Sequence, residues 1–441
     1  MNELPSELLI KIFKYLPLQQ RLSLQTVNKR WKQLIDSIEV KCVSITIGDV
    51  IFCHYKVVEK YKCNDFKHYC AKNHLLVSYV DKACEAFKKL TDLTAIVIES
   101  NNFDDLKPII LTISEYCNDI EHIEFKCKEG VLTEETMNLV LKIVGLKLKH
   151  FIAINQYRHF FNFAFGNENI QEFFEKSPNL ETFVLDQKTW VDIDGIKNLP
   201  NTIKHLFIPW IQLNEQMFNS LSFQLSSLKS LEIGFIDELI FRRICETCVN
   251  LSQFLVRQLN IDSPNALLSL CQLKHLESLQ LHFKDYTPNL DEYLTEICAC
   301  CHLKRLLLYG VRITDKFVIN LCELCPQLEV IEFDYGKREI TDISIYKLCI
   351  LRNIRCVSLP FTDITDESVI EFILNCKTIT YLDLCGCKLS KNVFEVFSKR
   401  ALQNKNQIFT LGIVNPSMYD TCEKPANLRI LNLDTVLPRK K

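Results

Sequence analysis

The residues of this chain with the most obvious capacity for chemistry are its thiols and imidazoles. It has 21 cysteines. Three pairs, Cys245/Cys248, Cys298/Cys301 and Cys322/Cys325, have the Cys-x-x-Cys spacing that can put two thiolates on one tetrahedral zinc. Four histidines, His68, His122, His150 and His205, occupy one phase of a longer repeat. His122 and His150 belong to consecutive copies, so their imidazoles are expected about 5 Å apart on neighbouring strands, near enough to share a metal or a proton. No Gly-x-x-x-x-Gly-Lys, Gly-x-Ser-x-Gly or His-Glu-x-x-His sequence occurs, so these signatures of phosphate-cradling, acyl-transfer and zinc-protease sites are missing. No cofactor is expected.

The elements that position these side chains are copies of one phrase, Leu-x-x-Leu-x-Leu with aliphatic substitutions. Its anchors are Leu93, Ile120, Leu148, Leu180, Ile203, Leu228, Leu251, Leu276, Leu303, Leu328, Ile354, Ile379, Ile408 and Leu428, a step near 26 residues; degenerate copies start at Val40 and Phe66. Each phrase alternates as a strand, and the stretch between phrases is helical, as in "ITDKFVINLCELCPQ", where Asp315 is placed to cap a helix. A strand and a helix bury nothing alone. Stacked, they give an α/β solenoid, a curved parallel sheet with helices on its convex side. This is similar to the leucine-rich repeat horseshoe.

Phase decides between the readings of the cysteines. Cys117, Cys248, Cys300, Cys325 and Cys376 each stand three residues before an anchor, and Ser177 fills that slot ahead of Leu180. They therefore fall in different rungs at one equivalent buried position, where a small, weakly polar side chain fits, rather than converging on a metal. This phasing resembles the cysteine-containing subclass of leucine-rich repeats, often paired with an F-box. The histidine slot is mixed, holding also Ser230, Gln253, Ser278, Arg305, Val330 and Tyr381, so solvated or partner-facing imidazoles compete with a metal or proton role.

The chain opens "LPSELLIKIFKYLPLQQRLSLQTVNKRWKQLI". A helix is expected over Ser6 to Tyr15, carrying Leu8, Leu9, Ile12, Phe13 and Leu16 as a wide apolar stripe, and Trp31, Leu34 and Ile35 mark another. About 40 residues seldom bury enough surface to fold unaided. Leu4, Pro5, Glu7, Leu8, Leu9, Ile12, Phe13, Leu16, Leu22, Val27, Lys29, Arg30, Trp31 and Leu34 resemble the F-box in type and spacing, with Asn28 where a cysteine is frequent. The alternative is an amphipathic cap on whatever follows. The resemblance implies an F-box over residues 1–38 ahead of repeats over 39–441. It also implies a Skp-type adaptor docked on Leu4, Pro5, Leu8, Leu9, Ile12, Phe13, Leu16, Leu22, Val27 and Trp31, and through it cullin and RING subunits. On that reading the chain is a non-catalytic, substrate-recognising subunit of a ubiquitin ligase; the competing reading is an interaction scaffold whose F-box serves assembly alone.

The slot at the middle of each strand points away from the helices. It reads Ile152, Val184, Phe207, Leu255 and Leu307, with polar residues between and after, and Trp210 and Tyr309 are nearby. These seven are the expected anchors for a target protein; the alternative is that a loop or the C-terminal segment folds over them. Apolar residues make up 48% and charged residues 24%, enough for a large core. The net charge of -2 gives no bulk attraction to nucleic acid or anionic membrane. No basic n-region with an apolar core opens the chain, and no apolar run approaches membrane-spanning length. A soluble protein of the cytoplasm or nucleus, with mostly reduced thiols, is the expectation.

Overall fold

The computed structural model describes residues 4–16, 20–21, 24–25, 27–36, 38, 42–47, 74–77, 80–90, 92–100, 103–127, 134–155, 167–186, 193–334, 339–412 and 425–431. The expected repeat starts at Val40 and Phe66 lie outside them, as do His68 and Leu22. By packing, the chain forms two compact units, residues 1–211 with 216–227, and residues 212–215 with 228–441.

The first unit opens with helices α1 (Ser6–Tyr15) and α2 (Lys29–Asp36). Helix α1 has the expected bounds; Pro5 occupies its N-cap, and Ser6 Oγ accepts a hydrogen bond from Arg30 Nη2 at 3.3 Å. Asn28 caps α2 through a 2.9 Å bond from the Trp31 N–H. Leu9, Phe13, Trp31, Ile35 and Ile38 form a small core, with the Phe13 and Trp31 rings edge-on at 5.2 Å.

Strands β1 (Cys42–Ile47), β2 (His74–Val77), β3 (Ala95–Ser100), β4 (His122–Cys127), β5 (His150–Asn155), β6 (Thr182–Asp186) and β7 (His205–Gln212) follow, in the spatial order β2-β1-β3-β4-β5-β6-β7. They are parallel throughout, and α3 (Val80–Lys89), α4 (Phe103–Tyr116), α5 (Glu134–Val140), α6 (Asn167–Lys176) and α7 (Ile193–Ile196) alternate with them. Helix α8 (Glu215–Ser226) comes next in the chain.

The second unit repeats the theme with β8 (Ser230–Asp237), β9 (Gln253–Asn260), β10 (Ser278–Asn289), β11 (Arg305–Arg312), β12 (Val330–Phe333), β13 (Cys356–Ser358), β14 (Tyr381–Asp383), β15 (Phe409–Gly412) and β16 (Leu428–Leu431), parallel and in sequence order. Its returns are α9 (Glu238–Thr247), a 3-10 segment (Pro264–Gln272), α10 (Asp291–Cys300), α11 (Asp315–Leu324), α12 (Asp342–Leu348), α13 (Asp366–Asn375) and α14 (Lys391–Gln403). Each unit is thus a leucine-rich-repeat solenoid, and F-box-like helices precede the strands of the first.

The anchors from Leu93 to Ile379 are all buried. Two departures flank that run: at the N-terminal edge β1 pairs directly with β3 while β2 lies outside β1, out of chain order, and near the C-terminal end the periodicity loses phase. Ile408 is 46% exposed, and β16 pairs Leu411 with Ile430, one residue out of step with its anchor Leu428.

Three ladders tie neighbouring rungs. In the first, an acidic residue at the start of one helix bonds the start of the next. Asp315 accepts from the Thr341 N–H at 2.9 Å, Thr341 Oγ1 at 2.6 Å and Ser344 Oγ. Asp342 does the same for Thr365 and Ser368, and Asp366 for Ser390. The expectation that Asp315 caps its own helix is therefore corrected: Thr314 holds that N-cap, and Asp315 serves the following rung. In the second ladder, thiols donate to carbonyls at the end of the preceding helical segment: Cys117 to Leu90 at 3.7 Å, Cys301 to Leu273 at 3.7 Å, Cys325 to Cys298 at 3.6 Å. These carbonyls have no partner within their own helix, which explains a weak donor in that slot. Around Leu303 the slot belongs to buried Cys301; Cys300, expected there, is the last helical residue and half-buried. In the third ladder, the position after the anchor alternates in sign over two runs, Glu121 to Lys204 and Glu277 to Arg355, joining Lys149 to Glu121 at 2.9 Å, Lys204 to Glu181 at 2.8 Å, Lys304 to Glu277 at 2.7 Å and Arg355 to Glu329 at 2.8 Å.

Replacing Asp315 by Ala leaves the Thr341 amide and two hydroxyls without their shared acceptor, so the folded protein should lose about 1 to 3 kcal/mol. Thermal unfolding checks this, with Asp315→Asn, which keeps one acceptor oxygen, expected to fall between wild type and Ala.

Candidate functional site

The candidate surfaces are the N-terminal helices and the strand face turned away from the repeat helices. On α1, Leu8 and Ile12 lie one turn apart and are 46% and 41% exposed; Val27 is 54% exposed, and Pro5 is exposed as well. Leu9, Phe13 and Trp31 are buried, with Leu4 and Leu16 packed partly against them. The apolar stripe is therefore split. One side makes the small core, and the other presents Leu8 and Ile12 to solvent.

In the first unit, the open strand face is buried rather than displayed. Ile152, Ile154, Val184 and Phe207 pack as one cluster, none more than 5% exposed. The expected display of Ile152, Val184 and Phe207 is not what the structure shows, and Leu255 in the second unit is likewise buried at 3%. The physical reason is that parallel sheets are normally covered on both faces, and alternation identifies the side of a residue without identifying its cover. Trp210, at 36% exposure, remains accessible, and Leu307 and Tyr309 are half-buried.

Beside the apolar cluster lies a buried charged group. Lys126 Nζ is 3.5 Å from Glu99 and 3.3 Å from Glu124, and His122 Nε2 is 3.7 Å from Glu124. Burial pushes the Glu124 carboxyl up, but the His122 hydrogen bond and the Lys126 charge outweigh it and hold it below the usual carboxylate range. His122 and His150 are register partners with ring centroids 5.7 Å apart, matching the strand-spacing expectation. Among the described residues no set of three or more His, Cys, Asp or Glu is arranged to hold a metal ion. His150 Nδ1 instead hydrogen-bonds Thr182 Oγ1 at 3.0 Å, and burial, followed by the neighbouring His122, pushes the His150 imidazole down to about 4.

The second unit carries a polar row of which sequence reasoning singled out only Tyr309. Glu232, fully buried, holds Arg257 at 2.7 Å. His282 and Tyr309 are register partners stacked at 3.9 Å, with Gln280 Nε2 2.7 Å from His282 Nε2. Asp334 accepts the Gly310 N–H at 2.9 Å, and burial, opposed by that bond, pushes its carboxyl up to about 6. The signal was present in the sequence, because Arg257, His282 and Tyr309 all stand six residues after an anchor. Gly310 has a φ of 74°, and a Cβ there would meet the Phe283 carbonyl at 2.9 Å, so glycine is required for the turn at this strand.

With the geometry in place, comparison with known proteins gives a class first. Residues 1–42 match the F-box domain. The chain is also similar to solved structures: that of the Rad7 and Elc1 complex in yeast (16% identity, 80% of this chain and 92% of that one, TM-score 0.42) and that of an internalin, InlF, from Listeria monocytogenes (14% identity, 81% and 89%, TM-score 0.36). No curated protein matches the sequence. Residues 1–42 thus carry an F-box, and the parallel strands with alternating helices described above form the repeat solenoid that follows it. Among the described residues no helix is long and apolar enough to cross a membrane.

Phe207→Ala should cost about 3 to 5 kcal/mol, as deletion of a core ring does, read as a lower denaturation midpoint. A second expected outcome concerns pH. Because the folded His150 imidazole binds its proton only near pH 4 while the unfolded one binds it near 6.5, its contribution to stability is present above pH 6.5 and lost as pH falls towards 4. Denaturant midpoints measured across that window should fall less in His150→Gln than in wild type.

Proposed function

We propose that this chain is a non-catalytic, target-recognising adaptor of a Skp/cullin/F-box ubiquitin ligase, with an F-box over residues 1–38 and the repeats over 39–441. The observation that carries the reading is the F-box match at residues 1–42, on a segment whose Leu8, Ile12 and Val27 are exposed beside a core too small to use them. These three, with Pro5, would touch a Skp-type adaptor, and through it the chain would reach cullin and RING subunits. Leu9, Phe13 and Trp31 would shape the surface from beneath. The chemistry would belong to other subunits, this chain supplying proximity between a bound target and the ubiquitin carrier. Of the candidate target anchors, accessibility favours Trp210, Leu307 and Tyr309. Ile152, Val184, Phe207 and Leu255 would act from the core that holds the strands. The cytoplasm or nucleus is the proposed location.

Replacing Leu8 and Ile12 together by Asp puts two charges where an adaptor would desolvate them, costing several kcal/mol of binding. Co-purification of a Skp-type adaptor should disappear while thermal unfolding stays near wild type, since both side chains are exposed. Retention of the adaptor by a folded double mutant would overturn the reading.

A further inference from the structure

The repeat helices of the second unit bury one side and turn the other to solvent, and one of them presents an apolar outer side. In α11 the buried residues Phe317, Val318, Leu321 and Cys322 are the third, fourth, seventh and eighth of the helix, and α13 repeats the pattern with Ser368, Val369, Phe372 and Ile373. The second and ninth positions therefore point outward. On every other α-helix of the unit at least one of these two is charged: Glu246 on α9, Glu292 on α10, Lys316 and Glu323 on α11, Glu367 on α13 and Lys399 on α14. On α12 they are Ile343 and Ile350, exposed at 56% and 53%. Cys349 keeps helical dihedrals and the Ile350 N–H donates to the Lys347 carbonyl at 3.2 Å, so Ile350 continues the face beyond the last regular turn. Exposed Tyr346 completes an i, i+3, i+7 stripe, and exposed Leu374 lies on the adjoining helix.

The flanks of this stripe are charged in a pattern that matches itself. An isologous interface has to be self-complementary. A two-fold axis lying in the face and crossing α12 near Tyr346 sets the α12 of a second copy antiparallel to the first and exchanges the second and ninth positions. Ile343 then meets Ile350 of the second copy, and Tyr346 meets its own equivalent. On α11, Lys316 meets Glu323 of the second copy, opposite in charge. Within the chain each has only a surface ion pair, Lys316 with Glu292 at 3.9 Å and Glu323 with Lys347 at 2.7 Å. On α13, Glu367 meets Leu374, with exposed Lys377 three residues further on. The antiparallel sense also opposes helix N-termini to C-termini, which suits their dipoles, whereas a parallel pairing would set like ends together.

We propose that this face, centred on α12, is where a second copy of the chain packs, α12 against α12 in antiparallel register. Three helices of about ten residues present a face of about 30 Å by 15 Å, at the small end of specific interfaces, so the dimer dissociates in the range of about 10 to 100 μM. The inference does not depend on the adaptor reading, which rests on the N-terminal helices.

The test is analytical ultracentrifugation of the purified full-length protein from about 1 to 500 μM at about 50 mM salt, where surface charges are weakly screened. Wild type is expected to pass from the 51.5 kDa monomer to twice that mass as concentration rises. Ile350→Asp should raise the dissociation constant at least about tenfold while the thermal midpoint stays near wild type, because the side chain is exposed in the monomer. Lys316→Glu and Glu323→Lys, each setting like charges together at two symmetry-related places, should weaken the dimer about five- to tenfold, and the double variant should return to within about threefold of wild type. A monomer throughout the concentration range, a dimer that Ile350→Asp leaves intact, or a double charge variant no tighter than the singles would overturn the proposal.

Discussion

The constraint beneath this structure is that no rung completes its own hydrogen bonding. A helix of about ten residues leaves amide donors at one end and carbonyl acceptors at the other. Here the neighbouring rung supplies both partners. Asp315 receives the amide of Thr341, and the Cys325 thiol meets the carbonyl of Cys298. Strand pairing does the same for the sheet, so a rung is stable only as a member of a stack. Inter-rung ties of this kind explain why polar residues persist among so many buried apolar ones: Ser344 and Ser368, each fully buried, bond to the aspartate of the rung before.

The same logic separates what could be read from the sequence from what could not. Anchor phase was legible because an aliphatic residue recurring at a step near 26 has to be a buried rung of a stacked repeat, and the anchors from Leu93 to Ile379 are buried as that phase requires. The thiol slot was legible for Cys117, Cys325 and Cys376, but before Leu303 the helix ends three residues ahead of its anchor, against four before Leu328 and Ile379, which moved the slot from Cys300 to Cys301. The partner of Asp315 was not legible, because capping is a local pattern and its true acceptor role spans 26 residues. Burial of Ile152, Val184 and Phe207 was hidden for a different reason. Alternation assigns a side chain to a face, but solvation of that face is a property of everything else that packs there.

The charged group around Lys126 illustrates how such a face tolerates ionisable residues. Glu99 and Glu124 flank one ammonium, and His122 stands by the second carboxylate. Breaking one member would leave an uncompensated charge, which costs far more than the group contributes when whole. Next to it, His150 is held neutral by burial and by its imidazole neighbour. Two like residues in one register column thus have different surroundings, which is why column membership alone did not reveal their roles.

The sign-alternating ladder has a consequence for how such an array can change length. Along the first unit it runs Glu121, Lys149, Glu181, Lys204, with ion pairs joining the first two and the last two. Excising the rung that bears Lys149 would set Glu121 against Glu181, whereas excising that rung together with the one bearing Glu181 would set Glu121 against Lys204. Gain or loss of repeats in this region therefore carries a parity: an even change preserves the pairing of opposite charges, and an odd one places like beside like.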